Sequence, residues 1–312
     1  MFNEHDMRAI RKYVDNPFPT FRTNPISTTN PTKMNIIIPI IPEPTRDIMD
    51  FTLVVAGVCL NIFLALIVAL NSSMYTSTNC YVISLASSSL IILLEPLQQV
   101  LRWISDIDLN MNLDYIFLVT FATSILIIIQ LNIETYVIIC QKNSPLRKPL
   151  QKVSTAAKGI LFIWVMSIMV ASLELSLYEH YEKEVMHDIF VSFTVMFLIF
   201  PCFIFIMVDC FILYDLIISR SIEGTWPSED VERFVFLVGI TIGFFLTMIP
   251  YRVVRAIALV TTTCCSDITI EVVYTMVKMY PMILPITCYV ISKEFRQALE
   301  MTLRCQRHET ST

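Results

Sequence analysis

Apolar residues gather in seven runs along the chain, at approximately 48–71, 79–103, 113–140, 156–177, 188–218, 232–259 and 269–291. Crossing a bilayer takes roughly 20 mainly apolar residues at about 1.5 Å of rise each, and every run is that long. Apolar side chains surround each run instead of forming one stripe, the pattern of helices bathed in lipid. Backbone amides and carbonyls have no water to turn to at that depth, so the runs are predicted to be helices. The predicted fold is an all-α membrane protein, a seven-transmembrane helix bundle over residues 47–291.

The polar stretches frame that bundle. Residues 1–46 are rich in Pro, Asn and Thr, which predicts a disordered tail. Within it, Asn35–Pro42 (NIIIPIIP) is too short and too Pro-broken to span. Met1 to about Lys33 holds no apolar core of a signal peptide, so the first helix is expected to direct membrane insertion. After the last run, Ser292–Arg304 is amphipathic, with Phe295, Leu299 and Leu303 at helical spacing. Residues 292–312 are therefore read as a membrane-surface helix and short tail, with Cys305 a candidate for palmitoylation or else a free thiol.

Composition mainly excludes. Only 16% of residues are charged and 55% are hydrophobic, whereas a soluble domain carries about a quarter charged. A net charge of −5 speaks against nucleic acid as a partner. Five glycines leave little room for a nucleotide-cradling loop. The nine cysteines form no CxxC pair or His/Cys cluster, so no metal or cofactor is expected. No Ser/His/Asp set points to an enzyme.

Basic residues give the orientation. Lys142, Arg147, Lys148 and Lys152 follow the third helix, and Lys293, Arg296, Arg304 and Arg307 follow the seventh. The connection after the fourth holds Glu174, Glu179, Glu182, Glu184 and Asp188 against Lys183 alone. An excess of Lys and Arg marks the cytosolic side, so the N-terminus is expected outside and the C-terminus inside. The acidic loop after the fifth helix (Glu223, Glu229, Asp230, Glu232) dissents, but acids weigh little in this rule.

Marks inside the helices narrow the class. Asn61 lies in GVCLNIFLALIV; Thr78–Leu90 reads TNCYVISLASSSL; Trp103 follows the second helix. Glu134-Thr135-Tyr136 ends the third, with Pro145-Leu146 beyond it. Trp164 and Pro201 sit in the fourth and fifth, Phe244–Tyr251 reads FFLTMIPY, and Leu284–Cys288 reads LPITC before SKEFR. In this order, over about 48–304, the chain resembles a divergent member of the rhodopsin-like (class A) G-protein-coupled receptors.

The resemblance implies a receptor that binds an extracellular ligand and signals through a G protein or arrestin. It also implies a switch set at Glu134, Thr135, Tyr136, Asp209, Met248, Pro250, Pro285 and Cys288. Several of these depart from the family pattern. Thr135 replaces the Arg of D/E-R-Y and cannot lock onto Asp230; Ser89 and Leu284 replace two polar anchors of the family's sodium site, and none is expected here. Asp209, Met248 and Cys288 replace a Tyr, a Trp and a Tyr. Asn110 stands where the family has the Cys of its extracellular disulfide, and Cys264 and Cys265 have only each other.

Ionisable residues at membrane depth default to functional hypotheses. Here they are Glu95, Asp209, Arg252, Arg255, Glu271 and Lys278, with Asp114 near a helix end. PYRVVR, from Pro250 to Arg255, is similar to a motif of receptors for nucleotides and acidic lipids, which suits a ligand with an acidic group. The alternative is that Arg252 pairs with Glu271 or Asp114 while Arg255 snorkels. Candidate ligand contacts are Glu95, Asp114, Tyr251, Arg252, Arg255, Tyr274 and Lys278. Glu95 and Lys278 are expected at one depth, as an ion pair or around a shared ligand or water. Lys278 also stands where opsins carry their retinal Lys, although Met248 speaks against a pigment. His180 and His187 read as a solvated face. The rival readings are a silent decoy, scaffold or trafficking protein and, less favoured, a transporter, which the missing internal repeat opposes.

Overall fold

The protein is described by a computed structural model over residues 43–107, 111, 113–180, 183–260 and 267–303. The tail with Asn35–Pro42, as well as Asn110, Cys264, Cys265 and Cys305, lies outside those residues. Among the described residues seven long helices follow one another: α1 Glu43–Leu70, α2 Ser77–Ser105, α3 Leu113–Ile139, α4 Val153–His180, α5 from Lys183 to Glu223, α6 Ser228–Val260 and α7 Asp267–Ile291. A surface helix, α8 Lys293–Leu303, leaves α7 at 93°. Six of the seven are long and apolar enough to cross a membrane alone, and α7 with α8 makes up the number.

Two irregularities inside these helices sit beside prolines. Pro96 has no N–H and its ring crowds the carbonyl of Ile92, and α2 is broken beside it at Leu93. Pro201 stands in the same relation to Phe197, and a π-helical turn, Val195–Ile199, widens α5 there. Local signals close the ends. Thr76 caps α2 by accepting the amide of Asn79, and Gly224, at φ 72°, ends α5 in the left-handed conformation that glycine adopts without penalty.

The core runs along α3, whose apolar window is 72% buried, against 22% for α4 and for α5, which turn mostly to lipid. Along α3, Thr120, Thr123, Ser124, Asn132 and Glu134 are all buried. Trp164 Nε1 donates to Ser84 Oγ at 2.9 Å and ties α4 to α2. Between α6 and α7 the backbones come close because Gly239 and Gly243 present no side chain. A Cβ on Gly243 would lie 2.5 Å from Ile283 Cγ2. Small residues four apart serve helix pairing in lipid, where apolar surface alone gives no preference for protein over tail.

The first helix starts earlier than the apolar run suggests, at Glu43 instead of about 48. Pro44 in its first turn fits that start, since proline's fixed φ suits a helix N-terminus and its missing N–H costs nothing there. The second segment of α2 runs through Trp103, which is exposed in its last turn. The amphipathic reading of α8 agrees with its packing: Phe295 and Ala298 are buried, and Thr302 Oγ1 accepts from Nδ2 of Asn71, just past the end of α1, at 3.0 Å.

Candidate functional site

Two clusters of polar side chains interrupt the apolar bundle. One lies toward the end away from α8, the other at the α8 end.

In the first cluster, Lys278 of α7 is 4% exposed and its Nζ lies 2.9 Å from both carboxylate oxygens of Asp50 on α1. The same ammonium stands 4.5 Å from the centre of the Tyr274 ring. Glu95 of α2 is buried within electrostatic range of both Lys278 and Asp50; it hydrogen-bonds Gln99, and its Oε1 has no partner. Of the two arrangements expected for Glu95 and Lys278, an ion pair or a shared ligand or water, the direct ion pair is corrected: Asp50 takes the ammonium's hydrogen bonds, and Glu95 flanks the pair. Asp50 lies at the edge of an apolar run that begins at about 48. It is seven residues in from Glu43, about 10 Å down the axis, and so reaches the depth of Lys278.

Arg252 of α6 is 1% exposed, and its Nη2 donates to Glu174 Oε1 of α4 at 2.8 Å. Glu174, counted among the acids of a connecting loop, is buried inside α4. Arg252 is expected to pair with Glu271 or Asp114; the described partner is Glu174, and the side chain of Asp114 lies outside the described ones. The guanidinium carbon also lies 5.9 Å from the Phe121 ring centre. Between the two ion pairs runs a string of rings, with Tyr274 to Tyr251 at 6.2 Å and Tyr251 to Phe117 at 4.6 Å, edge to face. Buried ion pairs persist only with good geometry and extra hydrogen bonds, because each charge leaves water at a cost of several kcal/mol.

Of the predicted ligand contacts, the structure brings together Glu95, Tyr251, Arg252, Tyr274 and Lys278. Asp114 and Arg255 lie in α3 and α6, with side chains outside the described ones. Asp50 and Glu174 are the residues that sequence reasoning missed. Pro44, at the start of α1, was the available signal for Asp50; for Glu174 it was its place within the apolar run at 156–177.

At the α8 end, Glu134 accepts hydrogen bonds from Ser77 Oγ at 2.6 Å and Thr78 Oγ1 at 3.1 Å, both on α2. Thr135 and Tyr136 are half-buried, with the Tyr136 ring 6.3 Å from Phe211 of α5. Met248, Leu284, Cys288 and Ser89 are buried. Asn61 Nδ2 donates to the carbonyls of Gly57 and Pro281. Asp209 is half-buried in α5, and its Oδ1 has no partner. Asp230 pairs with Lys142 at 3.6 Å, while Glu232 meets both the ammonium of Lys293, at 3.5 Å, and its amide, at 2.5 Å. Acids on α6 thus face bases on the α3–α4 connection and on α8.

A cleft of about 420 Å³ opens beside this layer, lined by Cys140, Lys142, Ser144, Asp215 and Ser219 among others. Burial first, then the carboxylates of Asp215 and Asp230, push the Cys140 thiol up to about 11.

Residues 60–287 match the family described as 7 transmembrane receptor (rhodopsin family). No curated protein matches the chain.

Proposed function

The chain belongs to the rhodopsin-like seven-transmembrane receptors, and we propose that it binds an extracellular ligand within the end of the bundle away from α8 and signals at the α8 end. The receptor reading implies the plasma membrane, and Lys142, Arg147, Lys148 and Lys152 beside α3 with Lys293 and Arg296 on α8 favour an N-terminus outside the cell and α8 in the cytosol. One observation carries the ligand site. Asp50, Glu95, Glu174, Arg252 and Lys278, all buried, are drawn from five helices and joined by aromatic rings. Charges held at that depth are expensive, and such a layer is where a ligand gains affinity by completing or exchanging a pair. An acidic ligand group at Arg252 would have to displace Glu174. Asp114 and Arg255 remain proposed contacts.

The cytosolic partner is proposed to be a G protein or arrestin, engaged by an atypical switch. Glu134 is held by two hydroxyls of α2, and Thr135 offers no guanidinium to a partner. The same observation favours the second reading, a receptor-like decoy or scaffold without coupling. A ligand screen read by arrestin recruitment, alongside nucleotide exchange on purified G proteins, separates the two. Recruitment or exchange on agonist supports the receptor; ligand binding with neither supports the decoy. If exchange is weak, Thr135→Arg is expected to raise it.

A further inference from the structure

Glu95 is the acid of the far-end cluster that no described cation bonds directly: Lys278 lies within electrostatic range but gives its hydrogen bonds to Asp50. The cluster holds two acids, Asp50 and Glu95, around one base, Lys278. That ammonium gives hydrogen bonds to both oxygens of Asp50, at 2.9 Å each, and lies against the Tyr274 ring. Glu95, 8% exposed, has one contact to Gln99 and a bare Oε1. It lies ten residues before the end of α2 at Ser105, about 15 Å deep, where a bare carboxylate oxygen is costly.

We propose that Glu95 anchors a ligand through a basic nitrogen, an ammonium or amidinium group that docks on Oε1. The proposal rests on the receptor reading above for the side from which the ligand enters, and it names the ligand's chemical class. An organic cation fits better than a metal ion. A hard cation such as sodium or calcium needs several oxygen ligands, and no group of three or more His, Cys, Asp or Glu that could hold a metal occurs among the described residues. The rings of Tyr274, Tyr251 and Phe117, which run on from Lys278, offer apolar bodies to the substituents of an organic ligand. Lys278 sets a limit on the pose: the ligand's cation must approach Glu95 from the side away from that ammonium.

The test uses the full chain purified in lipid nanodiscs, with phenethylammonium as probe and 2-phenylethanol as its uncharged counterpart. Melting temperature is followed against probe concentration into the millimolar range. Phenethylammonium is expected to raise the melting temperature and phenylethanol is not. Glu95→Gln, which keeps the shape, is expected to weaken the amine about tenfold or more. Should Glu95→Gln fail to fold, Glu95→Asp keeps the charge and must still prefer the amine to the alcohol. Equal stabilisation by the alcohol, an unchanged response in Glu95→Gln, or no response to either phenethylammonium or benzamidine overturns the proposal. So does stabilisation by sodium but not potassium chloride that Glu95→Gln removes, which would assign the carboxylate to an inorganic ion. Infrared difference spectra add a direct readout: the amine must perturb a carboxyl band that is missing in Glu95→Gln, and an undisturbed protonated-acid band overturns the docking. Amine failure with agonist-driven arrestin recruitment intact would sink this ligand class alone. Amine binding without any cytosolic response would sink the receptor reading alone.

Discussion

Asn61 Nδ2 donates to the carbonyl of Pro281 at 2.7 Å, and that carbonyl is the one Pro285 leaves without an intrahelical partner. Proline has no N–H to return to the residue four before it, and in lipid an orphaned carbonyl has no water to accept from. Asn61→Ala is therefore expected to lower stability by about 1–3 kcal/mol. Adding Pro285→Ala, which restores the missing amide, should recover part of the loss. Thermal unfolding in nanodiscs reads both, and strictly additive losses would argue against this link.

Asp50 and Lys278 should behave as one unit. Lys278→Met strands a buried carboxylate and is expected to cut stability by about 3–5 kcal/mol, with surface expression falling accordingly. In Asp50→Asn with Lys278→Met the loss should be much smaller than the sum of the single losses. Cell-surface labelling of an epitope-tagged chain measures the series.

Gly243→Ala should be harder to absorb than Gly239→Ala. The new methyl at 243 meets Ile283 Cγ2, on a branched Cβ that cannot swing aside, at 2.5 Å; at 239 the nearest atom, at 2.6 Å, is the far end of Ile291. A loss of about 1–3 kcal/mol is expected at 243, with partial rescue by Ile283→Ala. Equal melting temperatures for the two single variants would contradict the packing.

Cys140 should resist alkylation at neutral pH. Burial and two nearby acids hold its thiol protonated up to about 11, and the thiolate is the nucleophile. Its rate with iodoacetamide should climb steeply toward that pH, as read by mass spectrometry of the modified peptide. Asp230→Asn removes a charge that opposes the thiolate, so the climb should begin at lower pH. A rate already at its plateau near pH 8 would refute this.

The bundle was legible in the sequence because lipid demands long apolar runs and leaves few alternatives. The charged site was only half legible. Depth along a helix could be counted from Ser89 to Glu95 and from Pro285 to Lys278, so both were placed in one layer. Which acid meets which base depends on where α1 begins and on how far α4 extends, and polar residues at helix ends blur those limits. Asp50 and Glu174 were lost to that blur. The close approach at Gly239 and Gly243 is written as two glycines four apart, but spacing alone does not say which helix they face.

The contacts that join α1 to α7 and α8 carry a consequence for synthesis. Asp50 meets Lys278 across 228 residues, Asn61 meets Pro281 across 220, and Asn71 meets Thr302 across 231. At about 5–20 residues per second, the first helix waits on the order of ten to fifty seconds for its partners to leave the ribosome. Throughout that interval a carboxylate and two amides sit at the membrane without their final neighbours, a state that an insertion chaperone would have to shelter. A nascent chain halted before Lys278 should remain bound to such a factor, and one halted after Thr302 should let it go.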